Sequence, residues 1–264
     1  MSFRKAINYL LLMVMFISMF FSAKRYLDWH NSCLQIKEDR VQYQEIMSEM
    51  PDVERETDTF TEENWQDFYE INEDFIGWIE FDSGLISQPI VQGPDDSYYL
   101  RRNLNREYAE AGIVFLEAEN QLSDQNIILY GHNVYADETA MFSPLHNLVN
   151  QELYEANKDM NLYLENEIRS YRIFCIYYFD TDDYKVFDYQ QRNWTTEEEF
   201  NDWIRYAQDK NLINSDVQVS SEDHLLTMQS CKPYDPDQRV LVLCRELGRR
   251  PYREGSSNEK AEQY

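Results

Sequence analysis

The sequence predicts a mainly β domain with a closed or sandwiched, antiparallel-rich architecture, preceded by N-terminal helices. From Trp78 onward, short runs of β-branched and aromatic residues alternate with clusters of turn-forming residues, as in WIEF, NIILY and RVLVL. One segment between these runs has the period of an amphipathic helix. Because helices do not alternate with the strands, a parallel βα architecture is disfavoured.

The composition is that of a folded protein with one sizeable core. Of the 264 residues, 43% are hydrophobic and 15% are aromatic, which argues against a disordered chain. The 49 acidic and 24 basic residues give a formal net charge of -25 at pH 7. We therefore expect no nucleic-acid partner, because binding to phosphates requires a basic surface.

An apolar segment near the N-terminus predicts a single transmembrane helix. Residues 6–23 contain no charged side chain, and their length is close to the roughly 20 residues that span a bilayer. Arg4 and Lys5 favour a cytoplasmic N-terminus, which places the later residues on the extracytoplasmic side. Residues 1–25 would thus form a cytoplasmic stub and an anchor. The alternative is a signal peptide cleaved after Ala23, although the usual small-x-small spacing is missing.

Three further parts follow the anchor. Residues 26–75 are expected to form a helical stalk and packing helices, with Thr61 as a helix N-cap. Residues 76–248 contain the strand-like runs and the one inserted helix, whose N-cap would be Thr196. The tail, residues 249–264, has little apolar surface to bury and is expected to be solvated and flexible.

Residues 224–247 predict a β-hairpin with a reactive end. An apolar strand ends at Cys231, the next loop contains two prolines, and a second strand opens with Arg239. Antiparallel pairing would place the thiol beside the guanidinium, which can favour a thiolate or hold a developing oxyanion. The alternatives are a structural cysteine, or a disulfide from Cys231 to Cys175 or Cys244. No CxxC or CxxH motif is present, so no metal site is expected.

A cysteine nucleophile needs a partner that accepts and donates protons, and the usual partner is histidine. His132 follows the apolar run NIILY through Gly131, so it lies at a strand end where a loop begins. Glycine at this position permits an unusual backbone angle or a close approach. The other histidines, His30, His146 and His224, lie in different settings. From spacing alone, a purely structural histidine is the simpler explanation.

Several motifs together resemble one family. NIILYGHN is followed by TAMFSPL, and LLTMQSC is followed by an arginine eight residues after the cysteine. This order resembles the sortase family, and class B sortases in particular, whose members carry a strand-end histidine and a TLxTC-type cysteine motif. The resemblance covers residues 76–247. Met228 and Ser230 replace the leucine and the second threonine of that motif. Lys232 and Pro233 give the following loop its own character.

The resemblance implies a fold and a catalytic set. The fold would be a closed β-barrel of about eight strands, with N-terminal helices and one helix inserted before the last strands, behind a single transmembrane helix. Cys231 would be the nucleophile, His132 the general acid and base, and Arg239 the stabiliser of the tetrahedral oxyanion. No cofactor is implied.

The resemblance also implies substrates. The enzyme would cleave a sorting motif near the C-terminus of a secreted protein, hold the product as a thioester, and transfer it to an amine of peptidoglycan or its lipid-linked precursor. Asn103, Tyr184 and Ser230 would contact the sorting signal, although a turn asparagine and a packed tyrosine are alternatives for the first two. A pilin-polymerising sortase with a lysine acceptor stays open. So does a non-catalytic, surface-anchored binding domain with an oxidised Cys231.

Overall fold

Eight strands close into a barrel, which confirms the predicted fold class. The structure is a computed structural model that describes residues 3–48, 60–134, 137–233, 235 and 237–252. The strands are β1 (Phe75–Phe81), β2 (Ser87–Val91), β3 (Val114–Leu116), β4 (Asn126–Tyr130), β5 (Asp159–Tyr163), β6 (Ile168–Asp180), β7 (Leu225–Cys231) and β8 (Gln238–Arg250). Their order around the barrel is β1-β2-β3-β4-β7-β8-β6-β5.

The barrel mixes two kinds of strand pairing. β2 and β3 run parallel, as do β4 and β7, and the other neighbouring strands of the described barrel are antiparallel. VQVS at residues 217–220 alternates apolar and polar residues as a strand would, but it does not join the ladder. A closed barrel leaves no free edge for it. Val217 and Val219 instead pack against apolar residues outside the barrel.

The described residues contain four α-helices, α1 (Phe3–Ser48), α2 (Glu62–Ile71), α3 (Gln151–Ala156) and α4 (Glu197–Asp209). Short 3₁₀ segments cover Tyr98–Arg101, Ser143–Val149 and Thr181–Lys185. α4 is the helix expected before the last strands, and its N-cap is Thr196, whose hydroxyl accepts a hydrogen bond from the Glu199 N–H at 3.2 Å. α3 was not predicted, because six residues are too few to show a helical period.

Strand residues divide between two apolar clusters according to the alternation of their side chains. One cluster fills the barrel and includes Ile79 and Met228. The other lies between the barrel wall and helices α2 and α4, where Trp78 packs with Phe68, and Trp203 belongs to the same cluster. Burial of each large apolar side chain stabilises the fold by about 1.5–3 kcal/mol, so both helices are held by their apolar faces.

α1 is a single helix of 46 residues, so the predicted boundary at residues 25 and 26 falls inside it. The helix is long and apolar enough to cross a membrane, and the side chains of residues 7–31 are exposed. From residue 36 onward, one face is buried against the rest of the protein through Ile36, Asp39 and Tyr43. The N-terminal part of α1 is thus free of the barrel, and the C-terminal part packs on it.

The first and last residues of the barrel domain differ slightly from the predicted bounds. β1 begins at Phe75, one residue earlier than expected. β8 continues to Arg250, because it pairs with β6 as far as Ile168, and the Tyr252 hydroxyl then donates to the Leu164 carbonyl at 2.6 Å. The expected tail therefore does not begin at residue 249. Residues 253–264 of that tail lie outside the described residues.

Candidate active site

The topology gathers the three expected catalytic residues at one end of the barrel. β4 and β7 run parallel with Tyr130 opposite Gln229, so their C-terminal ends lie side by side. His132 follows β4 by two residues, and Cys231 is the last residue of β7. Cys231 is also the register partner of Arg239 on β8. Cys231 on β7, Arg239 on β8 and His132 in the loop after β4 thus lie at the same end of the barrel.

His132 is fixed by a hydrogen bond to the main chain. Its Nε2 lies 2.8 Å from the carbonyl oxygen of Leu100. Because a carbonyl can only accept, Nε2 carries a proton and Nδ1 is the nitrogen that exchanges one. Burial lowers the pKa of His132 and the positive charge of Arg101 lowers it further, while the Leu100 carbonyl and Glu110 oppose this shift.

The loop after β4 leaves room for glycine only. Gly131 N–H donates to the Gln229 carbonyl at 3.1 Å, which continues the β4–β7 ladder. A Cβ at Gly131 would lie 2.6 Å from ring carbons of Phe142, closer than atoms approach in proteins. Phe142 N–H also donates to the His132 carbonyl at 3.2 Å. The glycine next to the histidine therefore allows Phe142 to hold the histidine backbone.

Arg239 lies between the nucleophile strand and an aromatic group. On β8 it is opposite Cys231 on one side and Phe179 of β6 on the other. The Tyr184 ring meets the Phe179 ring edge-on at 5.1 Å, and its hydroxyl donates to the Tyr189 hydroxyl at 2.7 Å. Burial raises the pKa of Tyr189, and the positive charge of Arg239 opposes that shift. Tyr184, which is 42% exposed, therefore borders the candidate site.

None of the four cysteines, all of which lie among the described residues, forms a disulfide, so the disulfide alternative for Cys231 is wrong. Cys175 and Cys244 are fully buried, and burial raises the pKa of both thiols. In the β7–β8 ladder, Cys244 is opposite Leu226, far along the strands from Cys231. Cys231 is half-buried, and it is the cysteine that the fold places beside an arginine.

A sequence model of the sortase domain matches residues 81–247, well over half of the chain. The chain belongs to the sortase family. It is 24% identical over 218 residues to sortase B of Staphylococcus aureus, covering 80% of this chain and 86% of that protein. Its identity to sortase B of Listeria monocytogenes is 28% over 183 residues, covering 67% and 71%. The solved structure of Clostridium perfringens sortase B superposes with a TM-score of 0.64 at 29% identity, covering 69% and 99%. These relatives confirm the resemblance to class B sortases, whose activity is that of cysteine transpeptidases.

Two of the expected substrate contacts of this sortase are enclosed. Asn103 is 3% exposed, its Nδ2 donates to Asp39 Oδ1 at 3.0 Å, and its Oδ1 accepts from the Glu107 N–H at 3.1 Å. Ser230 is fully buried, since alternation along β7 turns its side chain away from the face of Cys231. Both placements speak against the direct substrate contacts that we expected. Asn103 is instead the turn asparagine of the alternative interpretation.

Two further groups at the site were not predicted from the sequence as parts of it. Lys232 N–H donates to the Gln238 carbonyl at 2.9 Å, and its ammonium lies 2.7 Å from Gln238 Oε1 and 4.5 Å from the centre of the Tyr178 ring. This places a second positive charge next to Cys231. The Leu100 carbonyl was missed for a different reason, because a main-chain contact leaves no mark on the residue type. Lys232 was visible in the sequence as a departure from the family motif.

Proposed function

We propose that this sortase is membrane-anchored, that it cleaves a C-terminal sorting motif of secreted proteins through a thioester on Cys231, and that it transfers them to an amine of the cell wall. The observation that carries this proposal is that the strand register places Cys231, His132 and Arg239 at the same end of the barrel. Each of the three groups has a different task in acyl transfer, and the following steps use all of them.

In the first step, His132 takes the proton of the Cys231 thiol, and the resulting thiolate attacks the carbonyl carbon of the scissile peptide bond. The negative charge that develops on the carbonyl oxygen is stabilised by Arg239, whose charge does not depend on pH. Such an oxyanion donor typically contributes ~3–4 kcal/mol to the transition state. His132 then protonates the departing amine, the carbon–nitrogen bond breaks, and a thioester remains on Cys231.

In the second step, an acceptor amine attacks the thioester carbonyl. His132 removes a proton from that amine, Arg239 again stabilises the oxyanion, and the Cys231 thiolate leaves. The lowered pKa of His132 suits this role, because a larger fraction of the imidazole is neutral near pH 7 and can accept a proton. The reaction exchanges one peptide bond for another, so it needs no cofactor.

We place the sorting motif next to Tyr184. The 3₁₀ segment Thr181–Lys185 follows β6, and Tyr184 and the neighbouring Val186 expose 42% and 77% of their surface. Exposed apolar side chains beside a nucleophile offer a binding surface for a peptide. The loop from Lys232 to Gln238 borders the nucleophile from β7 and is the second segment where we expect substrate preference to be set.

We also propose that α1 anchors the enzyme with the barrel on the extracytoplasmic side. Arg4 and Lys5 precede the apolar residues 6–23, which favours a cytoplasmic N-terminus. The twelve residues that follow Ala23, up to Gln35, continue the helix and cover about 18 Å at 1.5 Å per residue. The barrel would therefore sit close to the membrane, where secreted substrates and lipid-linked acceptors are found.

Product analysis tests the proposal. The full-length protein in detergent is incubated with a library of peptides that carry variants of C-terminal sorting motifs, together with triglycine, a lysine ε-amine peptide or no amine. We expect a cleaved peptide joined to triglycine, and no such product with Cys231→Ala. Preferred transfer to the lysine peptide would instead support the pilin-polymerising alternative. An amine-linked product formed by Cys231→Ala would contradict the proposal.

A further inference from the structure

We infer that residues 35–43 of α1 hold His132 in place and that Arg40 is a positioning residue for it. This inference rests on the proposed function, because it concerns the catalytic role of His132. From one helical segment, α1 contacts two loops. One loop carries His132, and the other provides the carbonyl oxygen that binds its ring.

Arg40 connects α1 to the segment that returns to His132. Its Nη2 donates to Asp137 Oδ2 and to Thr139 Oγ1, both at 3.0 Å. Asp137 Oδ1 accepts a hydrogen bond from the Thr139 N–H at 2.9 Å, which closes a turn. Three residues later, Phe142 N–H donates to the His132 carbonyl at 3.2 Å. The guanidinium therefore orders a turn whose far end fixes the histidine backbone.

Asp39, the neighbour of Arg40, holds the second loop. It is 7% exposed, and its Oδ1 accepts from Asn103 Nδ2 at 3.0 Å. Three residues before Asn103 is Leu100, whose carbonyl oxygen lies 2.8 Å from His132 Nε2. The helix thus reaches the backbone of His132 through Arg40 and its ring through Asp39.

The Arg40 contacts cross an open space between α1 and the loop. A cavity of about 270 Å³ lies between α1 and the loop, and its lining includes Ile36, Arg40, Thr139 and Met141. Open space under a loop removes the dispersion contacts that would otherwise fix its position. Ile36 of α1 and Met141 of the loop belong to one buried apolar cluster, and the hydrogen bonds of Arg40 add a polar restraint on the distance between α1 and the loop. Displacement of a catalytic group by about 1 Å can cost a hundredfold in rate, so this distance matters for catalysis.

The test measures how fast iodoacetamide alkylates Cys231 between pH 5 and 9 in the full-length protein, with the site of alkylation read by peptide mass. We expect Arg40→Ala to slow alkylation at pH 7 by roughly tenfold, because a displaced imidazole no longer assists the thiol. Arg40→Lys, which keeps the charge, should stay within about threefold of wild type. In NMR spectra, Arg40→Ala should move the ring signals of His132 and leave those of His224 unchanged.

The matched control is Arg205→Ala, which removes an exposed ion pair with Asp202 at 2.7 Å on α4, a helix remote from both loops. If Cys231 is alkylated at the wild-type rate in Arg40→Ala as well as in the control, the inference is wrong. It is also wrong if Arg40→Ala shifts the NMR signals of His132 and His224 equally. His132→Ala distinguishes an error in the proposed role of His132 from an error in the inferred role of Arg40. If it leaves alkylation of Cys231 unchanged, the proposed role of His132 is wrong. If it slows alkylation while Arg40→Ala does not, the role of His132 stands and the inference fails.

Discussion

Replacement of His146 by leucine should remove much of the acid sensitivity of the fold. His146 is 8% exposed, and within the described residues neither of its ring nitrogens has a hydrogen-bond partner. Burial lowers its pKa from 6.5 to about 4, and the charge of Lys232 adds to this effect, while the nearby backbone of Cys231 opposes it. Between about pH 4 and pH 6.5, the imidazole is therefore mostly neutral in the folded protein and mostly protonated in the unfolded chain.

The magnitude follows from proton linkage. Above pH 6.5, His146 is neutral in both states and has no effect on the pH dependence of stability. As the pH falls from 6.5 towards 4, the unfolded chain binds a proton that the folded protein excludes, so the free energy of unfolding decreases. With a pKa of 6.5 unfolded and about 4 folded, the loss between pH 8 and pH 5 is about 2 kcal/mol.

Guanidinium unfolding at pH 8 and pH 5 measures this loss. Each protein is compared with itself, so a packing change in His146→Leu cancels between the two pH values. We expect the decrease in unfolding free energy from pH 8 to pH 5 to be about 2 kcal/mol smaller in His146→Leu than in wild type. An equal decrease in unfolding free energy in the two proteins would show that His146 is protonated in the folded protein and that burial does not lower its pKa.

Three further predictions concern the catalytic edge. Arg239→Ala should lower kcat for peptide cleavage about 100- to 1,000-fold, while Arg239→Lys should retain part of the wild-type kcat. Equal kcat values in the wild type and both variants would contradict the oxyanion role of Arg239. Gly131→Ala forces a Cβ against Phe142, so we expect the free energy of unfolding in guanidinium to fall by about 1–3 kcal/mol and the activity to decrease. Wild-type stability and activity would exclude the steric constraint. Because Arg101→Ala removes a positive charge, it should raise the pKa of His132 in an NMR titration and move the acid limb of the pH–rate profile to higher pH. A lowered pKa of His132 would contradict the effect assigned to the charge of Arg101.

Much of the fold follows from patterns that are local in sequence. Short apolar runs predict strands such as β4 and β7, and the ends of these runs place His132 and Cys231 at strand ends. The pairing of β4 with β7 is not visible, because about 100 residues separate them and nothing local determines a parallel register. Only the resemblance to sortases brought the histidine and the cysteine together.

Predictions that depended on the surroundings of a side chain were less successful. The resemblance to sortases implied that Asn103 and Ser230 contact the substrate, yet Asn103 binds α1 and Ser230 points away from the face of Cys231. The contact of Arg40 with Asp137 spans 97 residues and involves residue types that are common on any surface. Such contacts come from the packing of a separate helix on the barrel, which the sequence of neither partner encodes alone.

Mass spectrometry of the trapped intermediate determines whether Cys231 is the nucleophile. The full-length protein is mixed with a cleavable sorting-motif peptide in the absence of amine, quenched in acid within seconds, and digested for peptide mapping. Cys33→Ala is the matched control, because it removes a different half-buried thiol. We expect an acyl group of the peptide's mass on Cys231 in the wild type and in Cys33→Ala, and none in Cys231→Ala. Peptide cleavage that persists in Cys231→Ala, or an acyl group on another residue of the wild type, would contradict this expectation.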